Sequence, residues 1–275
     1  MMPWPRTYPA IFIDEVGIAA ARHGGLVLKS AFQLVFRPHG GALRAVAAQS
    51  YLRPFMKGLP VPPGSLFAAL DADERLAVER LAVAIHLSNH RQIGVEGLPH
   101  MLGLGPALAV WPGTADLLAD RAGGEEEPPP VLICSLRGPA GIDDTLAAAL
   151  VAQDAQLALG GAAGDAPPLD TIRRLTPSIV RIDGAWFRRV ACDAGALRLL
   201  GSLVEGFKEL GARVLVEGIE TRQQLAAALD LKADLLQGFL LSQPQLAGTV
   251  VERTVLPLPK ILPAPASVIQ LFGGR

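Results

Sequence analysis

From Leu98 to Leu241 short apolar segments alternate with short amphipathic ones, and this alternation restricts the fold more than any other feature of the chain. The strand-like segments are "LPHMLGLG" (98–105), "VLICSL" (131–136), "QLALGG" (156–161), "SIVRID" (178–183), "RVLVEG" (213–218) and "LLQGFLL" (235–241). Between them lie helical stretches at 114–122, 143–155, near 169–176, and at 195–211 and 221–231. Strands separated by single helices build a parallel sheet from βαβ units. So many units in 275 residues predict an α/β fold closed as a TIM-like (β/α)8 barrel, which takes about 250 residues.

The first half departs from that rhythm. A proline-rich arm precedes "IDEVGIAAARHG", read as a short helix ending at Gly24–Gly25. "FQLVFRP" (32–38) and "GALRAVAAQSYLR" (41–53) flank a Gly-Gly turn and predict an antiparallel hairpin. Residues 65–93 read as one long amphipathic helix with Leu70, Val78, Leu81 and Ile85 inward. Thr114 is expected to cap the next helix, and "GGEEEPPP" (123–130) reads as a solvated loop. The tail from Pro244 carries prolines among Val, Ile, Leu and Phe. It is expected either to pack back along the barrel or to dock a partner. The chain thus divides into an N-terminal arm with a short helix (1–28), a barrel (29–246) and a Pro-rich apolar C-terminal segment (247–275).

Half the residues are apolar and the mean hydropathy is +0.34, enough for a large core. Twenty-five basic and 26 acidic residues leave a net charge of −1, which offers no electrostatic footprint for nucleic acid or an anionic membrane surface. No apolar run reaches the roughly 18 residues of a membrane span, and the N-terminus lacks a secretory leader pattern, so a cytoplasmic location is expected. Cys134 and Cys192 lack metal-binding spacing and are read as two buried thiols.

One stretch carries a specific resemblance. "LVEGIETRQQLAAALDLKADLLQGFLLSQP" (215–244) resembles the C-terminal motif of EAL domains, the bacterial cyclic di-GMP phosphodiesterases. These read A-E-G-V-E-T, a helix, then Q-G-Y/F-hydrophobic-S-x-P. The positions in agreement are Glu217, Gly218, Glu220, Thr221, Gln237, Gly238, Phe239, Ser242 and Pro244. Upstream, "SIVRIDGAWF" is similar to the K-I-D-x-x-F strand, with Arg181 at the lysine and Asp183 at the aspartate. "FQLVFRP" is similar to the opening F-x-L-x-Y-Q-P strand, with Arg37 at the glutamine. The resemblance implies an EAL-type barrel whose first strand runs against the others.

The family's hydrolysis needs hard oxygen ligands around Mg²⁺ or Mn²⁺, and here the resemblance departs from the pattern. "QSYLR" at E-A-L-L-R puts Gln49 at the first glutamate and retains Arg53. The asparagine strand is matched by "PHMLGLG", giving Gly103, or by "VAIHLSN", giving His86. "VLICSL" puts Ile133 and Leu136 at the glutamates of E-x-T-E, and Gly160 and Gly161 stand for the aspartates of D-D-F-G. Arg181 replaces the lysine and cannot serve as a general base near neutral pH. Asp165 and His100 are the only nearby substitutes, without recognisable ligand spacing. No catalytic residues are expected, and no cofactor unless the family activity survives with Mg²⁺ or Mn²⁺.

What the resemblance leaves is a polar set of Arg53, Asp183, Glu217, Glu220 and Gln237, with Arg37 and Arg181 as altered basic members. Glu217 and Glu220 are expected to pair with Arg53 and Arg181 and brace the mouth. Arginines there also suit the phosphates of cyclic di-GMP, although Tyr51 and Pro167–Pro168 alter the pocket walls. The expectation is therefore an inactive regulatory module in bacterial signalling that engages another protein. A cyclic di-GMP receptor without turnover is the alternative, and a residual phosphodiesterase a further one. The family also admits a homodimer.

Overall fold

The computed structural model describes residues 9–94, 97–119, 130–137, 143–161, 167–249 and 254–262. Two long strands, β3 (Leu26–His39) and β4 (Ala42–Met56), form the expected hairpin, turned by Gly40 and Gly41, both at positive φ. A register shift at Val35/Phe36 bends it. The end of β4 pairs with the two-residue β5 (Leu59–Pro60), and from β4 the sheet continues in parallel through β6 (His100–Gly103), β7 (Leu132–Arg137), β8 (Gln156–Gly160), β9 (Ile179–Ile182), β10 (Arg213–Val216) and β11 (Leu235–Leu236). β11 then pairs antiparallel with β3 and closes an eight-stranded barrel whose first strand runs against the other seven. The α/β barrel expected from the alternation is the one observed.

Val35, Ala47, Met101, Ile133, Ala158, Ile179, Leu215 and Leu235 fill the barrel interior. The outward strand residues pack under helices, as a sheet buried on both faces requires. Those helices are α1 (Pro63–Ala69), α2 (Ala72–Asn89), α3 (Pro106–Val110), α4 (Thr114–Ala119), α5 (Asp144–Ala152), α6 (Leu169–Leu175), α7 (Gly184–Val190), α8 (Ala194–Glu209) and α9 (Arg222–Asp230).

Several local expectations are corrected. Residues 11–23 are no helix but a hairpin of β1 (Ile11–Ile13) and β2 (Ala19–His23) added to β3. The Asp14 side chain turns it by accepting from the N–H groups of Val16 and Ile18, with Gly17 at φ +87°. The stretch 65–93 is not one helix. It breaks at Leu70, and Asp71 and Glu74 form a capping box that starts α2, which gives way to a 3₁₀ turn over His90–Ile93. Val78, Leu81 and Ile85 are buried as expected. Thr114 does not cap its own helix, because its hydroxyl donates to the Leu108 carbonyl at the end of α3. Cys134 is buried but Cys192 is exposed.

The tail packs back as far as it is described. β12 (Gln245–Leu246) pairs with β3, and β13 (Val255–Pro257) with the start of β4, before a last turn, α10 (Leu258–Ile261). Leu256 is buried there. "GGEEEPPP", apart from its last proline, and Asp165 lie outside the described residues. No helix among the described residues is long and apolar enough to cross a membrane.

Candidate functional site

The C-terminal ends of the parallel strands form one mouth, and three glycines bring its loops together. A Cβ on Gly184 would fall 2.8 Å from the Gly218 Cα, and Gly218 sits at φ +70°. Gly238 packs so closely on the Ile219 backbone that a Cβ would lie 2.0 Å from its carbonyl oxygen. The Glu-Gly and Gln-Gly pairs therefore lock the loops after β10 and β11 against each other and against α7. This fixes Glu217 and Gln237 at the rim.

Glu217 is the centre of the charge arrangement. One carboxylate oxygen accepts from Arg181 Nε at 2.8 Å and from its Nη2. The other accepts from Arg137 Nη2 at 3.2 Å. Arg181 is 3 % exposed and also donates to the Ser135 hydroxyl. Arg137 reaches Asp183 at 3.6 Å, while Asp183 caps α7 through the N–H groups of Ala185 and Trp186. Glu220 pairs with Arg188 at 3.0 Å. The bracing expected of the two glutamates is present, with one partner changed. Arg181 holds Glu217, but Arg53 pairs with neither glutamate and lies 5.8 Å over the Tyr51 ring.

Tyr51 donates to Gln237 Oε1 at 3.3 Å. Burial, and after it the Glu217 carboxylate, push its phenol up to about 12, so it remains a donor throughout the physiological range. At this mouth two buried amide atoms lack a partner among the described residues, Gln49 Oε1 and Gln237 Nε2. Tyr51, Arg53 and Arg137 form a wall shared by two cavities. One, of about 390 Å³, lies over the mouth toward Gln33, Arg188 and Phe239. The other, of about 450 Å³, runs past Gln49 and Gly103 toward Glu79 of α2. Glu79 accepts from the Leu108 N–H at 2.8 Å, and burial raises its pKa.

The other sequence candidates separate by position. Gln49, Gly103 and Gly160 face the mouth; the space beside Gly160, where a side chain would stand, holds the Arg137 and Arg181 stems. Gly161 is buried just past β8. His86 lies on α2, so β6 and Gly103 are the strand match. Arg37 does not reach the mouth: β3 is antiparallel, so Arg37 near its C-terminal end lies at the far end of the barrel, and Gln33 is the group β3 brings to the mouth. On β7 the alternation of side chains puts Ser135 and Arg137 at the mouth. Ile133 lies deeper, toward the far end, and Leu136 packs outward under helices. Ser135, Arg137 and Arg188 were missed; counting by twos from the apolar Ile133 would have found the first two. His100 is a core residue bonded to Ser50 at 3.0 Å.

The model of the EAL domain family matches residues 30–244, most of the chain. The chain belongs to the EAL domain family. Among solved structures, the chain is similar to Klebsiella pneumoniae BlrP1 in a manganese/cyclic di-GMP complex (20% identity, TM-score 0.69). The alignment covers 90% of this chain and 64% of that one, so the present chain spans under two thirds of that protein. The FimX EAL domain from Pseudomonas aeruginosa bound to cyclic di-GMP aligns at 20% identity, TM-score 0.66, over 79% of this chain and 90% of that one. The PaMucR phosphodiesterase in its cyclic di-GMP complex gives 20%, 0.65, 79% and 92%. No curated protein sequence matches. At these identities the structural likeness speaks for the EAL fold alone.

The described residues of this mouth do not fit the divalent metal that the family implies. Among the described residues no group of three His, Cys, Asp or Glu could hold an ion. Gly103 and Gly160 have no side-chain donor, Gln49 is neutral, and both oxygens of Glu217 are taken by guanidinium groups. A dication would have to displace or sit beside these two positive charges, and the other carboxylates at the mouth are engaged as well, Asp183 with the first N–H groups of α7 and Glu220 with Arg188.

Proposed function

We propose that this chain is a non-hydrolysing EAL domain, a regulatory module in cyclic di-GMP signalling that acts by what it binds. The observation that carries this reading is Glu217 clamped between Arg181 and Arg137. Of the carboxylates that the resemblance retains, Glu217 serves as a counter-ion to two arginines, and the described residues offer no metal donor set for the water activation that hydrolysis needs. Incubation with cyclic di-GMP and Mn²⁺ or Mg²⁺ is expected to leave the cyclic dinucleotide intact. Accumulation of the linear product in proportion to protein would overturn the reading.

A specific observation favours ligand binding at the mouth as the way this module senses its signal. Arg53 and Arg137 line both cavities, and Gln49 and Gln237 each carry an unpartnered amide atom beside them. Guanidinium groups recognise phosphate oxygens by paired charge-assisted hydrogen bonds, and free amide atoms suit a base edge. Cyclic di-GMP bound without turnover satisfies both. Its titration is expected to saturate and to weaken about tenfold or more in Arg53→Ala. A flat titration would leave a module that engages only a protein partner, the output this reading in any case requires downstream.

A further inference from the structure

The opposite end of the barrel carries an unassigned opening of about 280 Å³. All eight barrel strands contribute to its lining, so it lies on the barrel axis. Its floor is apolar, made by Val35, Met101, Ile133, Ile179 and Leu235, the lower part of the barrel interior. Its polar lining is Arg37, Arg213 and Gln156. Arg213 donates to Gln156 Oε1 at 2.8 Å, which fixes its guanidinium. Two positive groups therefore face one apolar well.

Among the described residues this charge is only partly balanced. Burial, and next the charge of Arg37, lower the Arg213 pKa, and Asp234 offsets this only in part. Asp234 is engaged elsewhere: one oxygen contacts Lys208 Nζ at 3.1 Å and the other accepts from the Val214 N–H at 2.8 Å. Among the described residues no carboxylate pairs with Arg37. Arg44, directly across the ladder from Arg37, adds a third positive side chain at this end. Like charges held together at the rim of this opening attract an oxyanion, which relieves their repulsion, and an apolar body attached to it covers the partly exposed Val46 and Pro99 above the closed barrel floor.

We infer that this lower opening binds a small amphiphilic oxyanion, its carboxylate or phosphate head between Arg37 and Arg213 and its apolar body over Val46 and Pro99 above the barrel floor. The site is separate from the mouth and stands whether or not the mouth binds a cyclic dinucleotide. Isothermal titration of the full chain with octanoate, inorganic phosphate and 1-octanol separates the contributions of head and body. Octanoate is expected to bind at one site, more tightly than either of the others. Arg37 is exposed, so Arg37→Gln keeps the fold; it should weaken octanoate about tenfold. Arg53→Gln, at the other end, should change it by less than about twofold. Absence of saturable octanoate binding, loss of it in Arg53→Gln, no change in Arg37→Gln, or phosphate or 1-octanol binding equally tightly would each overturn the assignment.

Discussion

A carboxylate at a barrel mouth can hold a metal or hold the protein together, and Glu217 accepts from both Arg181 and Arg137. Its removal would leave Arg181 charged and buried beside Ser135 alone. Glu217→Gln is therefore expected to destabilise the chain by about 3–5 kcal/mol, read as a lower urea midpoint. Arg188→Ala, which breaks the half-exposed pair with Glu220, should cost under about 1 kcal/mol. A phosphodiesterase glutamate would show the reverse emphasis, with activity lost and stability kept. Gly238→Ala forces a Cβ onto the Ile219 carbonyl and is expected to cost roughly 1–3 kcal/mol or more, measured the same way. The glycines that carry the family resemblance are thus explained by close backbone approach.

At the scale of elements, α2 is attached to the barrel through buried polar groups. Asn89 accepts from the Ala19 N–H at 2.8 Å and donates to the Ala19 carbonyl at 2.7 Å, tying α2 to the added hairpin. His86 bonds Ser30 at 2.8 Å, and His90 stacks on His100 with ring centroids 4.4 Å apart, all around Phe32. Burial lowers His86 to about 3, His90 to about 4 and His100 well below its ordinary value. The unfolded chain takes up these protons below about pH 6.5 while the folded chain does not. Stability is therefore full above that pH and falls as pH drops, by about 1.4 kcal/mol per unit for each histidine until its folded pKa is reached. Urea midpoints at pH 7, 6 and 5 should fall steeply; a flat series would mean the histidines are hydrated.

These elements also mark what the sequence makes legible. The βα alternation and the Gly-Gly hairpin follow from period and turn chemistry, and both are observed. The break before α2 was written in Asp71 and Glu74 as a capping box, but the surrounding apolar periodicity masks it. β2 reads as helix because alanines dominate it; its strand state comes from pairing with β1 and β3, a tertiary effect. At the mouth, Glu217, Asp183 and Gln237 were legible through their motif. Arg37 was not, because an antiparallel strand reverses which end of it meets the site.

Across the whole molecule the C-terminal segment belongs to the fold as far as it is described. β13 covers Leu43 and buries Leu256 against it. A chain ending at Thr249 is expected to lose about 2–3 kcal/mol for the exposed leucine surface, seen as a lower Tm. An unchanged Tm would free that segment for a partner. Closure of the barrel has a further consequence. The seam joins Phe36 to Leu236, and only one residue pair of β11 spans it, with two more from β12 beyond. Bringing such distant parts of the chain together is entropically expensive and gains little until nearly everything between has formed. The barrel is thus expected to shut late in folding, like a ring fastened at its last link, and to exchange its amide hydrogens fastest along that seam.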